Sequence, residues 1–284
     1  MRKLTLAATQ MACDDNIDAN ISQAEAMVEE ACGKGAQVVL LQELFEAPYF
    51  CKEQSPKHFP MAQPFEGNTL IQHFQAVAKK HEVVLPISFF EQDGNRQFNS
   101  LTMVDADGSV LGLYRKTHIP DGPGYQEKYY FSPGNTGFKV WDTRYAKIGV
   151  GICWDQWFPE AARCMALMGA ELLMYPTAIG SEPPSPKFDS SKHWQNVMCG
   201  HAGANLMPLV ASNRIGSETA DNGVELTFYG SSFIADWQGE KVVEAGRETQ
   251  QVLTATFDLD SIAKIRRAWG VFRDRRPEMY GAIC

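Results

Sequence analysis

An apolar strand that stops abruptly on a reactive side chain constrains this fold more than any other feature of the sequence. In Lys147-Ile-Gly-Val-Gly-Ile-Cys-Trp-Asp-Gln-Trp-Phe-Pro-Glu160 the run Ile148 to Ile152 reads as a buried strand. It ends at Cys153. Pro159 and Glu160 then open a helical run from Ala161 to Met168, because proline fits the first turn of a helix. Gly149 and Gly151 let another part of the chain approach closely. A thiol at such a junction can sit beside free backbone N–H groups, which lower its pKa and can bind an oxyanion. It can equally be a packing residue at the end of a core strand, since free cysteine is among the most buried residue types. The stretch alone leaves both readings open.

Strands and helices alternate along the rest of the chain. Strands are expected at Leu4 to Thr9, Val38 to Leu41, Val83 to Phe90, Phe98 to Val104, Val110 to Tyr114 and Phe138 to Trp141. After the Cys153 junction they recur at Leu172 to Tyr175, Leu209 to Ser212, Ser232 to Asp236, Lys241 to Glu244 and Val252 to Asp258. Helices are expected over Ile17 to Gly33, where Ile21, Ala24, Met27, Val28 and Ala31 share a face, and over Thr69 to His81. Two more run from a Ser190 cap to about Asn205 and from Leu259 to Ala268. Asp93-Gly-Asn95 and Asp236-Trp-Gln-Gly239 are hairpin turns. Pro183, Pro184 and Pro186 mark Thr177 to Asp189 as an ordered loop. The mixture suits two mixed sheets with helices outside, an α/β four-layer α-β-β-α sandwich, although pattern alone does not single it out. The chain reads as one domain over 1–284. Its tail, 269–284, lacks a core pattern and is expected to pack on another subunit.

Several classes are disfavoured by composition. A net charge of −8 argues against a nucleic-acid partner, which needs a basic face, and is compatible with a cationic small molecule. No apolar run approaches the roughly 18 residues of a membrane span. The N-terminus reads as a strand and not as a signal peptide, so the expected location is the cytoplasm. Seven scattered cysteines with no Cys-x-x-Cys make a disulfide framework or a zinc site unexpected.

Three apolar strands end on reactive residues: Glu43, Lys116 and Cys153. Strand ends of open α/β sheets are where active sites collect. A dry carboxylate can take a thiol's proton, and a nearby ammonium can hold a thiolate and then an oxyanion. Together they would make a covalent hydrolase. Separately they would be a cap acid, a solvated lysine and a packing thiol, and separation along the chain proves no contact.

The blocks Gln42-Glu-Leu-Phe-Glu-Ala-Pro-Tyr-Phe50, Tyr114-Arg-Lys-Thr-His-Ile-Pro120 and Gly151-Ile-Cys-Trp-Asp-Gln-Trp-Phe-Pro-Glu160 resemble, in order, the three signature blocks of the nitrilase superfamily. These are carbon–nitrogen hydrolases with a Glu-Lys-Cys triad. The resemblance covers nearly the whole chain. It implies the α-β-β-α sandwich, paired subunits, and no metal or organic cofactor. It also implies Glu43 as general base, Cys153 as nucleophile and Lys116 as the cation on the tetrahedral intermediate, helped by the backbone N–H of Trp154. Glu127 matches the family's second glutamate. Three further stretches, His118 to Phe131, Thr177 to Pro184 and His201 to Asn205, resemble the N-carbamoylputrescine amidohydrolase branch. That branch implies hydrolysis to putrescine, ammonia and carbon dioxide. Other amidases and nitrilases of the superfamily are the alternative.

The substrate's ammonium end needs a carboxylate or an aromatic face, because burying it unpaired is costly. Glu182, in the proline-held loop, is the expected ammonium partner. Tyr49, Tyr130 and Trp154 are the expected aromatic wall. His118, His193 and His201 form no metal pattern and read as structural, with His193 an outside candidate for the pocket. Cys164 and Trp194 read as core.

Overall fold

The structure is a computed structural model describing residues 1–283 except 184, 186 and 187; Pro184, Pro186 and Cys284 therefore lie outside the described residues. In chain order the strands are β1 Lys3–Gln10, β2 Val38–Leu40, β3 Leu85–Asp93, β4 Arg96–Val104, β5 Val110–Arg115, β6 Val140–Asp142 and β7 Lys147–Val150. Then follow β8 Leu172–Pro176, β9 Leu209–Ser212, β10 Ser217–Thr219, β11 Glu225–Thr227, β12 Phe233–Ala235, β13 Lys241–Glu244 and β14 Gln251–Asp258. The α-helices are α1 Ile17–Gly33, α2 Thr69–His81, α3 Pro159–Leu167, α4 Ser191–Asn205 and α5 Leu259–Trp269.

Two mixed sheets form. One has the order β14-β1-β2 and continues into β3-β4-β5 through a parallel bridge between Val38 and Val84. The other has the order β13-β12-β9-β8-β7-β6. The period-two alternation of each strand divides its side chains between layers. Leu172 and Met174 of β8 face the inter-sheet core with Ile148, Val150, Val210, Leu6 and Leu40. Leu173 and Tyr175, one residue on, face outward against Met165 of α3 and Trp194 and Met198 of α4. On the opposite side, Ala7 and Val39 meet Met27 and Val28 of α1 and Phe74 and Val77 of α2. The result is the four-layer α-β-β-α sandwich expected from the sequence.

Both glycines before Cys153 have the expected use. A Cβ at Gly149 would lie 3.0 Å from the Met165 Cβ, and one at Gly151 would lie 2.9 Å from the Tyr175 ring. Helix α3 and β8 thus close tightly on β7 because no side chain intervenes.

Some expectations are corrected. Ser190 precedes α4 but makes no capping bond; its hydroxyl pairs with the Tyr229 phenol at 3.0 Å. Cys164 is exposed, because α3 turns Ala161, Ala162, Met165 and Ala166 inward instead. The β10–β11 hairpin was not anticipated, since three-residue strands carry too little periodicity. In the tail Phe272 packs against the outer core while Trp269 is 72% exposed. No helix among the described residues is long and apolar enough to cross a membrane.

Burial on α4 holds the His201 imidazole down at about 4. The folded protein thus refuses a proton that the unfolded chain accepts below about 6.5. Stability is lost as pH falls through that window. Urea unfolding at pH 7.5 and pH 5 should therefore show wild type losing about 2 kcal/mol more than His201→Gln. Equal losses would mean that His201 is not held neutral.

Candidate active site

The nucleophile candidate sits where β7 runs out. Cys153 adopts a left-handed backbone (φ +41°), an uncommon state for a residue with a Cβ, and begins a 3-10 turn, Cys153–Trp157, that feeds α3. Asp155 holds this elbow from inside. It is fully buried and accepts from the Ile152 N–H (2.9 Å), the Tyr114 hydroxyl (2.7 Å) and the His118 N–H (3.0 Å). His118 Nδ1 lies 2.7 Å from the same carboxylate, and its ring stacks on Phe158 at 3.6 Å. His118 is thus structural, as read from the sequence.

Glu43 arrives from the strand end after β2. Leu44 beyond it also has a positive φ (+49°), and its N–H donates to Ser88 Oγ. The buried Arg214 guanidinium donates to the carbonyls of Glu43, Leu44 and Ala47, so the turn's backbone is held from behind. Lys116 follows β5 directly.

These side chains converge. Lys116 Nζ lies 2.8 Å from Glu43 Oε1 and 2.9 and 2.7 Å from the two oxygens of Glu127. Lys116, Glu43 and Glu127 are all fully buried. Glu43 Oε1 also accepts from Asn99 Nδ2 at 2.7 Å, whereas Glu43 Oε2 has no partner. Tyr49 Oη donates to Glu127 Oε1 at 2.6 Å. Burial alone would lower the Lys116 ammonium; the charges of Glu127 and Glu43 outweigh it and hold it well above its usual value. Burial raises Glu127 to about 7, against the pull of Lys116. Burial also pushes the Cys153 thiol well up, reinforced by Glu43 and opposed by Lys116. This corrects the expectation of a lowered thiol pKa: the dry site and the adjacent carboxylate outweigh the backbone N–H groups. The resting sulfur keeps its proton, with Sγ 3.9 Å from the Ala178 carbonyl.

A cavity of about 350 Å³ opens on Cys153 and Glu127. Trp154 and Glu182 line it, as expected. Tyr49 and Tyr130 do not. Tyr49 is buried behind Glu127, acting on it through the phenol. Tyr130 is buried among Phe50, Phe90 and Phe131, and its phenol is used up on the Glu53 carbonyl and the Ser55 N–H. The wall is formed instead by Tyr125, Trp157 and Phe188, with Asp121 and His193 also lining the cavity. Trp157 was legible in principle, three residues after Trp154 in the same turn. Tyr125 is fixed by donating to the Ser181 carbonyl and accepting from the Gly180 N–H. Both contacts are too distant along the chain to read from sequence.

The carbon-nitrogen hydrolase family model matches residues 5–267. The chain belongs to the carbon-nitrogen hydrolase family. It is 58% identical to an N-carbamoylputrescine amidase of Solanum lycopersicum over 285 residues, covering 99% of this chain and 95% of that protein. It is 54% identical to a citrullinase of Francisella tularensis over 283 residues, covering 100% and 99%. Among solved structures, a carbon-nitrogen hydrolase from Helicobacter pylori G27 superposes with a TM-score of 0.92 at 39% identity, covering 99% of this chain and 98% of that one.

Removing the cation should expose how much the cluster relies on it. Lys116→Met leaves two buried carboxylates without a counter-charge, and breaking such a pair costs about 3–5 kcal/mol. Urea unfolding at pH 8 should show a loss of that size. The loss should shrink at pH 5, where the carboxyls can be protonated. A variant as stable as wild type at pH 8 would show that the cluster is not held by charge.

Proposed function

We propose that this protein is an N-carbamoylputrescine amidase, hydrolysing its substrate to putrescine, ammonia and carbon dioxide. The observation that carries the reading is the buried cluster of Lys116, Glu43 and Glu127, whose charges all act on a Cys153 thiol that opens, beside Glu127, on an acidic cavity. The near full-length identity to amidases of that name supports it.

Glu43 Oε2 takes the proton as Cys153 Sγ attacks the ureido carbon. Lys116 and the Trp154 backbone N–H hold the developing oxyanion. The carbon–nitrogen bond to the terminal NH2 breaks. That nitrogen takes the proton back from Glu43 and leaves as ammonia, and a carbamoyl thioester remains. Glu43 then removes a proton from water as it attacks the thioester carbon, and returns that proton to the departing sulfur. The released carbamate loses carbon dioxide to give the free amine. Glu127, held by Lys116 and Tyr49, keeps the ammonium in place. Glu182 receives the distal ammonium of the substrate, and Trp154 lies along its methylene chain. Burial raises the Glu182 carboxyl, so an arriving cation meets a group that gains from being paired.

The citrullinase relative defines a second reading. Citrulline carries a carboxylate beside its ammonium. The cavity lining has the carboxylates Asp121 and Glu182, whose charge favours the diamine. In the diamine reading the protein's partners are its cationic substrate and further copies of itself, with the exposed Trp269, Met279 and Ile283 of the tail as the pairing surface, in the cytoplasm.

Ammonia and carbon dioxide should appear one to one from N-carbamoylputrescine, with kcat/KM at least tenfold above that for citrulline, a difference of about 1.4 kcal/mol. Glu182→Gln should raise KM for N-carbamoylputrescine about tenfold or more and leave the uncharged N-carbamoylbutylamine unaffected. Citrulline turned over as well or better would overturn the substrate assignment. Ammonia with a carboxylic acid from ω-amides or nitriles, and none from ureido substrates, would move the protein to another amidase or nitrilase.

A further inference from the structure

One residue touches both the base and the cation and has no role in the scheme above. Asn99 lies on β4, which pairs with β5 in the register Ser100↔Arg115. Asn99 therefore falls alongside Lys116, and its carbonyl accepts the Lys116 backbone N–H at 2.8 Å. Its side-chain Nδ2 donates to Glu43 Oε1 at 2.7 Å. The amide can only face this way, since the opposite orientation would set oxygen against oxygen. The remaining amide oxygen is buried with no partner.

A carboxylate's two oxygens are equivalent until their surroundings distinguish them. Here Oε1 accepts from both Lys116 Nζ and Asn99 Nδ2, and Oε2 accepts from nothing. Lys116 cannot enforce this alone: its ammonium is shared with both oxygens of Glu127 and sits on a long, rotatable stem. Asn99 projects from a strand paired on both sides, by β3 and β5. We propose that Asn99 is a positioning residue that dedicates Glu43 Oε1 to anchoring, so that Oε2 alone carries the proton between sulfur, leaving group and water. Without it the carboxylate can turn, and the oxygen needed as base can fall into the ion pair with Lys116. The inference rests on the reading of Glu43 as base and deepens it.

The charged and titratable groups facing Glu43 are Lys116, Glu127, Cys153, Tyr49, Cys51 and, through the turn's carbonyls, Arg214. None changes in Asn99→Leu, which keeps the bulk, or in Asn99→Ala, which does not. Two readouts separate the possibilities. One is kinetics on whichever substrate the wild type turns over. The other is the pH dependence of iodoacetamide alkylation at Cys153, followed by mass spectrometry, which needs no substrate. Both variants should lose about tenfold or more in kcat with KM within about twofold, as expected when a base is misplaced but binding is kept. The acid limb of the alkylation profile should move to higher pH, since a donor to the carboxylate has been lost. A folded variant with wild-type kcat and an unmoved alkylation limb overturns the proposal, as does a loss confined to thermal stability. If N-carbamoylputrescine is not a substrate but the limb still moves, the substrate reading fails and the role of Asn99 stands.

Discussion

A buried ammonium with two buried carboxylates around it is the interaction on which the rest of this structure depends. None of the three could stay charged in a dry core alone; an unpaired buried ion costs several kcal/mol, a large share of a domain's whole stability. Lys116 makes Glu43 and Glu127 tolerable, and they do the same for it. The mutual requirement also creates the chemistry. Burial raises both Glu127 and the neighbouring thiol, and the excess negative charge left by two acids around one cation adds to it. A site with one acid fewer would hold its lysine less firmly. A site with a second cation would pull the thiol back down.

The sandwich serves this cluster by bringing strand ends from two sheets to one point. Glu43 and Lys116 belong to one sheet, after β2 and β5, and Cys153 to the other, after β7. The inter-sheet core of Leu6, Leu40, Ile148, Val150 and Met174 fixes the distance between them. Packing errors in that layer would be felt as misplacement of Cys153 relative to Glu43 and Lys116.

Much of this was legible in the sequence where a residue type has one common use. Helices α1 and α2 have the predicted bounds because their apolar spacing and flanking Asn16 and Asn68 caps agree. Glu43, Lys116 and Cys153 stood out because reactive residues rarely end wholly apolar strands. Glu127 needed the family resemblance. The misreadings lie where type underdetermines environment. Tyr49 and Tyr130 could have lined a cavity, but their phenols found buried partners elsewhere. The partners of Glu43, namely Asn99 and Arg214, were invisible because their contacts span 56 and 171 residues of chain. Cys164 was misread because α3 is short, and its inward face is set by alanines that any helix can carry.

The protonated resting state of Cys153 has a consequence outside the reaction cycle. Thiolates attack peroxides and disulfides far faster than thiols do, so a buried sulfur held protonated offers oxidants little to react with. The surface thiol at Cys164 has no such shelter. The same burial that raises the Cys153 thiol therefore slows its conversion to sulfenic acid, while the exposed sulfur stays open to it.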